Sequence, residues 1–423
     1  MGPAWIPLPT ATDDAHPVGN WLLQMGFDLW IRICYDREVV IPENFALAPG
    51  SLIASNHQRD VDGPMLGIVL AQRHGLHFAS APPFYATRED LFRPGILARL
   101  TVHWPRPLSA LLGHISLAWF FPLGRTEPMR RVREFSLGET LHALVDAGMG
   151  DADCGTLLNA RGQRELGVRH ATLAGCIDHA NPVILEQWWG LRRLKVCALE
   201  AIAPAFRATV DAQLAGFAQR LDRGDCVYFS PEGTISMDGH CCRTREGFFR
   251  LVHLAAKQPW IQPMALGYDT LGPGRSRVVV RIGERFRADT ALDRRAFDAA
   301  LRRSVLQLVP ITPSHLLARW LLHGPRAFTR DELAGWITRC CTTLRVAHPS
   351  MDPLFARKGV TGIAHARLRW LEHKNLVARR GEGFENTCPR DAPPGWRTHA
   401  GIARYLDNHL TDLVPGVDRV LPC

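Results

Sequence analysis

The sequence predicts an α/β protein with a mixed, largely parallel sheet flanked by helices. Over residues 46–310, short apolar runs of strand length alternate with helical patterns. The chain has 423 residues, 46% of them hydrophobic, which suffices for more than one core. No apolar run reaches the roughly 18 residues typical of a membrane-spanning helix.

The first strong element is a helix over residues 21–35, inside an N-terminal segment that we place at 1–45. Its polar residues Gln24, Asp28 and Arg32 recur at every fourth position, and the rest of its surface is apolar or small. This amphipathic pattern fits two structures equally: an arm packed on the main domain, or a helix lying in a membrane surface.

A strand-to-helix turn follows near residue 55. Residues 51–54 form an apolar run that predicts a buried strand, and Pro64 suits the first turn of the next helix. The turn carries His57 and Asp62, close enough in sequence for the carboxylate to reach back to the imidazole. A histidine held in this way can take a proton from a hydroxyl. With 18 histidines in the chain the spacing alone is weak, and a turn histidine with a local hydrogen bond is the competing interpretation.

Later predicted strands also end in polar loops. The apolar run 115–121 leads to a turn with Arg125, and the run 226–229 ends at residues 230–234 (Ser-Pro-Glu-Gly-Thr). In sheets of this class, loops at strand ends build the active site. Residues 127–205 show no clear pattern, so we expect an irregular excursion from the main domain, which we place at 46–310.

The remaining residues, 311–423, predict a mainly helical C-terminal region. A helical pattern over 368–377, followed by a Gly-containing turn near residue 381, resembles the helix and β-wing of a winged helix. Winged helices often bind DNA, but no stripe of clustered Lys and Arg marks a recognition helix here. We therefore expect no nucleic-acid partner.

Composition limits the cellular setting and the partners. The formal net charge is +9, which suits an anionic membrane surface, a phosphate-bearing substrate or nucleic acid. The 11 cysteines are scattered without a C-x-x-C pair, which favours a reducing compartment and no zinc site. The first twenty residues lack a secretory signal pattern. We expect a cytoplasmic protein, peripheral on the inner face of a membrane, and we predict no metal site.

Four sequence blocks, in this order, resemble the glycerolipid acyltransferase family, which acylates glycerol 3-phosphate and lysophosphatidic acid. The matches are His57 and Asp62 to its His-x4-Asp motif, Arg125 to its second block, Pro231-Glu232-Gly233-Thr234 to its Pro-Glu-Gly-Thr block, and the strand led by Pro263 to its fourth. The likeness covers roughly residues 46–290. The glycerol-3-phosphate branch fits best, because residues 266–269, 311–317 and 403–410 also resemble it.

The resemblance implies a fatty acyl transfer from a thioester to a hydroxyl of glycerol 3-phosphate or a lysophospholipid. In this reading His57, oriented by Asp62, is the general base, and the residues expected to bind the acceptor are Arg125, Glu232, Gly233, Thr234 and Arg245. The donor is acyl-CoA or acyl-carrier protein as a co-substrate, and no other cofactor is implied.

One position departs from the family pattern. The family commonly follows Glu-Gly-Thr with an Arg that helps to hold the acceptor's phosphate, and this chain has Ile235 there. A lost guanidinium–phosphate contact is worth roughly 1.5–3 kcal/mol, for which Arg125, Arg243 or Arg245 could compensate. The alternative function is therefore a non-catalytic, membrane-associated lipid-binding protein with the same fold. A weaker third hypothesis is a nucleic-acid-binding module in the C-terminal third.

Overall fold

The computed structural model describes residues 17–43, 45–71, 73–74, 77–78, 83–88, 120–131, 135–167, 172–185, 190–348 and 350–422. Their contacts form two compact units. The sheet unit holds the described residues within 11–86, 123–125 and 218–423, and the helical unit holds those within 87–122 and 126–217.

The strands of the described part are β1 (Tyr35–Val40), β2 (Ser51–Ser55), β3 (Arg73–His74), β4 (His77–Phe78), β5 (Phe84–Arg88), β6 (Thr126–Met129), β7 (Val227–Tyr228), β8 (Trp260–Asp269), β9 (Ser276–Ile282), β10 (Phe286–Arg287), β11 (Ala327–Phe328), β12 (Val377–Arg380) and β13 (Gly383–Asn386). The helices are α1 (Pro17–Cys34), α2 (Asp62–Ala71), α3 (Leu137–Leu144), α4 (Cys154–Leu157), α5 (Ala160–Leu166), α6 (Leu173–Asp178), α7 (Pro182–Leu185), α8 (Val196–Arg223), α9 (Glu246–Leu254), α10 (Arg294–Leu306), α11 (Pro313–His323), α12 (Arg330–Ala347), α13 (Leu354–Lys358), α14 (Val360–His373), α15 (His399–Leu413) and α16 (Val417–Val420).

The sheet unit contains a mixed, mostly parallel sheet with the strand order β1-β9-β8-β2-β7-β5, and β10 pairs with β8. Strands β8, β2, β7 and β5 run parallel to one another, whereas β9 runs antiparallel to β8. The carboxyl ends of the four parallel strands therefore lie at one edge of the sheet. The prediction of an α/β fold with a largely parallel sheet flanked by helices is confirmed.

Helices α1 and α2 cover one face of this sheet. Ile31 of α1 and Met65 of α2 are fully buried in one apolar cluster with Ile53 and Met264 of the central strands. Burying side chains of this size stabilises the fold by roughly 1.5–3 kcal/mol each. The predicted strand at 51–54 and the helix after Pro64 are therefore parts of one packed layer. No helix in the described part is both long enough and apolar enough to cross a membrane.

Residues 127–205 are more regular than we expected. Where the structure describes them, they are mainly helical, and their core includes Phe135 and Phe206, whose ring centroids lie 3.9 Å apart. The sequence shows no clear pattern here because the helices before α8 have only four to eight residues each. Side chains such as Ser136 and Asn159 cap them after brief intervals, so no long periodic pattern develops in the sequence.

The compact units also divide the chain differently from the expected boundaries after residues 45 and 310. The N-terminal helix belongs to the sheet unit because α1 packs on α2. The region after residue 310 belongs to it as well, since Ala265 of β8 lies in the same apolar cluster as helices α11, α12, α14 and α15. Of the predicted strand at 115–121, residues 115–119 lie outside the described part. A single 3₁₀ turn over Phe121–Gly124 then leads into Arg125.

The C-terminal region carries a small three-stranded sheet in the order β11-β13-β12. Helix α12 begins after the cap residue Thr329, whose hydroxyl accepts the Glu332 N–H in a capping box. Helix α14 and the β12–β13 hairpin lie where the sequence indicated a helix followed by a turn. Arg367 of α14 is buried and its Nη2 donates to Asp269 Oδ2 of β8 at 2.5 Å, so this helix packs against the main sheet.

Candidate functional site

The turn between β2 and α2 brings His57 and Asp62 into direct contact. His57 Nδ1 lies 3.1 Å from Asp62 Oδ2, and the imidazole is about one-fifth exposed while the carboxylate is fully buried. When Nδ1 donates its proton to Asp62, Nε2 keeps a lone pair and acts as a proton acceptor. The predicted pair is therefore formed, and it can serve as a general base.

Asp62 is held by more donors than the histidine alone. Its Oδ2 also accepts the backbone N–H groups of Gln58 at 2.6 Å and Arg59 at 2.8 Å, and the Tyr268 hydroxyl donates to Oδ1. Burial and the neighbouring carboxylate hold the pKa of Tyr268 well above its usual value, so the phenol stays a donor. The carboxylate is therefore fixed in place, and it orients the His57 ring.

Asn56 sets where the turn begins. Its side-chain amide both donates to the Leu266 carbonyl and accepts the Leu266 N–H, each at 2.9 Å. These two bonds continue the β2–β8 pairing one residue beyond the end of β2, so that the chain leaves the sheet directly at His57.

The loop after β7 places Glu232 beside His57. The Glu232 carboxylate is buried and accepts the Cys242 N–H at 3.1 Å. Burial raises its pKa to about 7, although the Cys242 N–H, the His57 charge and the His57 backbone oppose that shift. Two predicted site residues from different strands therefore meet at the carboxyl edge of the sheet, and Glu232 changes its charge near neutral pH.

Gly233 makes the corner of this loop possible. Its φ of 59° is in the left-handed region, and an added Cβ would lie 3.2 Å from Arg245 Cγ. Arg245 donates its backbone N–H to the Pro231 carbonyl at 2.7 Å and its Nε–H to the Glu232 carbonyl at 3.3 Å. Thr234 is half-buried next to it. The structure therefore brings Glu232, Gly233, Thr234 and Arg245 together in one loop.

A small, open pocket lies beside this loop. Ser55 and Glu232 line its polar part, and Leu301, Val305 and Leu306 of α10 line its apolar part. The pocket therefore has one polar end and one apolar wall.

The side chain of Arg125 lies elsewhere. Its Nη2 is 3.8 Å from Asp225 Oδ1, and its Cζ is 4.1 Å from the ring centroid of Phe84. Asp225 precedes β7 and Phe84 begins β5, so these partners lie at the amino edge of the parallel strands, opposite His57. The structure does not bring the Arg125 guanidinium to the His57 turn.

Residues of the C-terminal region complete the surroundings of the turn. The Gln58 amide lies 3.1 Å from His409 Nε2, and His409 Nδ1 lies 3.0 Å from His315 Nε2. Burial lowers the pKa of both histidines to about 3, so both are neutral. Trp396 packs against the Arg59 guanidinium, with 3.8 Å between Cζ and the ring centroid. The turn is thus supported from more than 300 residues away in the chain.

Sequence reasoning missed Asn56, Tyr268, Trp396 and His409 as contributors. Asn56 and Tyr268 each stand beside or within a motif that the sequence had singled out, which was a usable signal. Trp396 lies in a Pro- and Gly-rich stretch in which the sequence analysis had singled out no motif. In the described part of the chain, no group of three or more His, Cys, Asp or Glu side chains is arranged to hold a metal ion.

Comparisons with family profiles and with curated proteins identified no relative of this chain. No protein-family profile matches the sequence, and no curated protein matches it. The chemistry of the site is therefore argued from its own residues.

Proposed function

We propose that this protein is an O-acyltransferase of the glycerolipid acyltransferase type. It would move a fatty acyl group from acyl-CoA or acyl-carrier protein to a hydroxyl of glycerol 3-phosphate or a lysophospholipid. One observation carries the proposal: the His57–Asp62 pair and Glu232 come from separate strands and meet at the carboxyl edge of the sheet. The order of the four sequence blocks supports the same family and its particular version of the α/β fold.

In the proposed reaction His57 Nε2 takes the proton of the acceptor hydroxyl while the oxygen attacks the thioester carbonyl carbon. The negative charge of the tetrahedral intermediate is stabilised by hydrogen-bond donors of the turn. The C–S bond then breaks, the ester is released, and the thiolate receives the proton from the imidazolium. Asp62 stabilises that imidazolium and stays hydrogen-bonded throughout. The step balances without an external oxidant or metal.

Helix α1 supports a location on a membrane surface. Three of its polar side chains face inward: Asn20 Nδ2 donates to the Leu123 carbonyl at 2.8 Å, and Gln24 and Asp28 are buried. Arg32 is exposed and its Nε donates to Asp28 Oδ2 at 2.8 Å. Its outward stripe is apolar, with exposures between 44% and 62% for Val18, Leu22, Leu29, Trp30 and Ile33. An apolar stripe on the outside of a basic protein suits an anionic bilayer surface.

The membrane part of the proposal is tested by sedimentation with vesicles of phosphatidylcholine and phosphatidylglycerol. The triple change Leu22→Gln, Leu29→Gln and Ile33→Gln should abolish binding, because it removes most of the apolar area available for insertion. Val346→Gln, at an isolated exposed apolar residue, is the matched control and should leave binding unchanged. Equal binding by the triple variant would contradict the assignment.

The catalytic part is tested with a labelled acyl thioester and a panel of acceptors, followed by lipid chromatography. The wild-type protein should acylate glycerol 3-phosphate or a lysophospholipid, and His57→Ala should lose turnover while keeping its thermal stability. His373→Ala, at an exposed position at the end of α14, is the control and should keep full activity. If the wild-type protein binds vesicles and yields no lipid product with any acceptor, the non-catalytic alternative replaces the enzyme.

A further inference from the structure

Arg59 is a positive charge next to the proposed base, and no carboxylate among the described residues forms an ion pair with its guanidinium. Its backbone N–H donates to Asp62, but its guanidinium lies in a corner formed by the rings of Trp396 and Tyr268. The Cζ–centroid distances are 3.8 Å and 4.5 Å, and the two ring planes meet at 67°. Among the described residues no side-chain or backbone oxygen accepts a hydrogen bond from it, and its Nε is buried without a partner.

This arrangement is unusual for a half-buried arginine. Charged side chains that leave water are normally paired, because the N–H groups otherwise lose their hydrogen bonds. Ring faces attract the cation and fix the plane of the guanidinium, yet they leave its in-plane N–H donors unused. A planar, fixed guanidinium with free N–H groups matches a phosphate, which it can bind through two parallel hydrogen bonds.

Three other arginines near the two loops have partners, and Arg243 is exposed at the surface. Arg125 pairs with Asp225 at the opposite edge of the sheet. Arg245 is exposed, and its Nε–H donates to the Glu232 carbonyl. Arg302 Nη1 donates to the carbonyls of Cys241 and Cys242 at 3.1 Å and 2.8 Å. Arg59 differs from these arginines because it lies on the His57 turn itself and two aromatic rings hold its guanidinium in place.

We propose that Arg59 binds the phosphate group of the acyl acceptor and takes over the task of the arginine that Ile235 replaces. This inference rests on the proposed acyltransferase function. His57 and Arg59 are two residues apart on one turn, and two residues of chain span at most about 7 Å. The Tyr268 ring that stacks on the Arg59 guanidinium also donates its hydroxyl to Asp62, the partner of His57. In this proposal a three-carbon acceptor presents its hydroxyl to His57 and its phosphate to Arg59. Trp396 and Tyr268 act as positioning residues that hold the guanidinium flat.

The test compares Arg59→Gln and Arg59→Lys with the wild-type protein. The control is Arg287→Gln, since Arg287 also stacks on a tryptophan, with its Cζ 4.0 Å from the Trp260 centroid, but far from this turn in sequence. Arg59→Gln should raise the KM for glycerol 3-phosphate about 10- to 100-fold with little change in kcat, because a bidentate charged contact is lost. Arg59→Lys should recover part of the affinity, and Arg287→Gln should behave as wild type.

Two further acceptors, lysophosphatidic acid and glycerol, show which phosphate esters use the site and whether the effect of Arg59→Gln depends on the phosphate. The same KM increase with lysophosphatidic acid in place of glycerol 3-phosphate would assign the site to phosphomonoesters in general. Unphosphorylated glycerol should react equally slowly with wild type and Arg59→Gln. An equal KM increase for glycerol and glycerol 3-phosphate, or no increase for either phosphate ester, would overturn the assignment.

Direct binding makes the assignment independent of turnover. Titration calorimetry with glycerol 3-phosphate and with inorganic phosphate should give saturable binding to the wild-type protein and to Arg287→Gln, and none to Arg59→Gln. If turnover is absent while this pattern holds, the acyltransferase function fails and the phosphate site stands. If wild type and Arg59→Gln bind alike, or neither binds, the phosphate site fails whether or not the enzyme turns over.

Discussion

Glu232 should make the stability of this protein depend on pH in a way that one substitution removes. Burial raises the pKa of this carboxyl to about 7, against 4.5 for an ordinary glutamate. The folded protein therefore binds this proton more tightly than the unfolded chain does. The resulting stabilisation is fully present below the unfolded pKa and is lost as the pH rises through the folded pKa. Glu232→Gln, which does not titrate, should lack this loss.

The size of the effect follows from the difference between the two pKa values. Each unit of pKa difference corresponds to about 1.4 kcal/mol, and between about pH 5.5 and pH 8.5 the carboxyl accounts for roughly 2 kcal/mol. The free energy of unfolding of the wild type, minus that of Glu232→Gln, should fall by this amount over that range. The constant offset between the two proteins also reflects the exchange of an acceptor oxygen for an NH₂ group, so the slope with pH is the quantity that tests the reasoning.

The assay is urea unfolding of both proteins at several pH values, followed by tryptophan fluorescence and far-ultraviolet circular dichroism. Glu382→Gln, in the exposed turn between β12 and β13, is the matched control and should keep the wild-type slope. A stability difference between wild type and Glu232→Gln that does not change with pH would refute the claim that burial keeps this carboxyl protonated near neutrality.

Two further predictions concern buried polar contacts. Tyr268→Phe removes the hydroxyl that donates to Asp62, and a hydrogen bond to a charged group is worth roughly 1.5–3 kcal/mol. The variant should lower kcat about tenfold with little change in the KM for the acceptor. An unchanged kcat would show that Tyr268 contributes only to packing. Asp352→Ala leaves the buried Arg277 without the carboxylate that it contacts at 2.5 Å and 2.7 Å. The free energy of unfolding, measured with urea, should fall by about 2–4 kcal/mol. A loss below about 0.5 kcal/mol would show that Glu38 alone compensates the charge of Arg277.

Local parts of the site could be predicted from the sequence, because each depends on a short stretch of chain. The strand, the turn with His57 and Asp62, and the Gly233 corner are determined by neighbouring residues and their turn chemistry. The position of the Arg125 side chain was not accessible in this way. That position depends on which strands are neighbours in the sheet and at which edge the loop lies, and local sequence spacing determines neither property.

The supporting residues show the same limit more strongly. Tyr268 reaches Asp62 across 206 residues of chain, and His409 reaches Gln58 across 351. Contacts of this kind arise from packing after the elements have formed, so apolar periodicity does not reveal them. The helices between residues 137 and 185 were missed for a different reason, since each has only four to eight residues and is too short to show a period.

The neutral histidine pair and Trp396 have a practical consequence for dissecting the protein. A chain shortened to end at residue 310 would lose Trp396, His409 and His315 together, and it would expose the apolar surface that Ala265 and Leu271 share with the C-terminal helices. Such a fragment, although it would retain every residue of the four sequence blocks, should aggregate rather than act. The shortest stable active form of this protein is therefore expected to keep the region after residue 310, although that region lies outside the four sequence blocks.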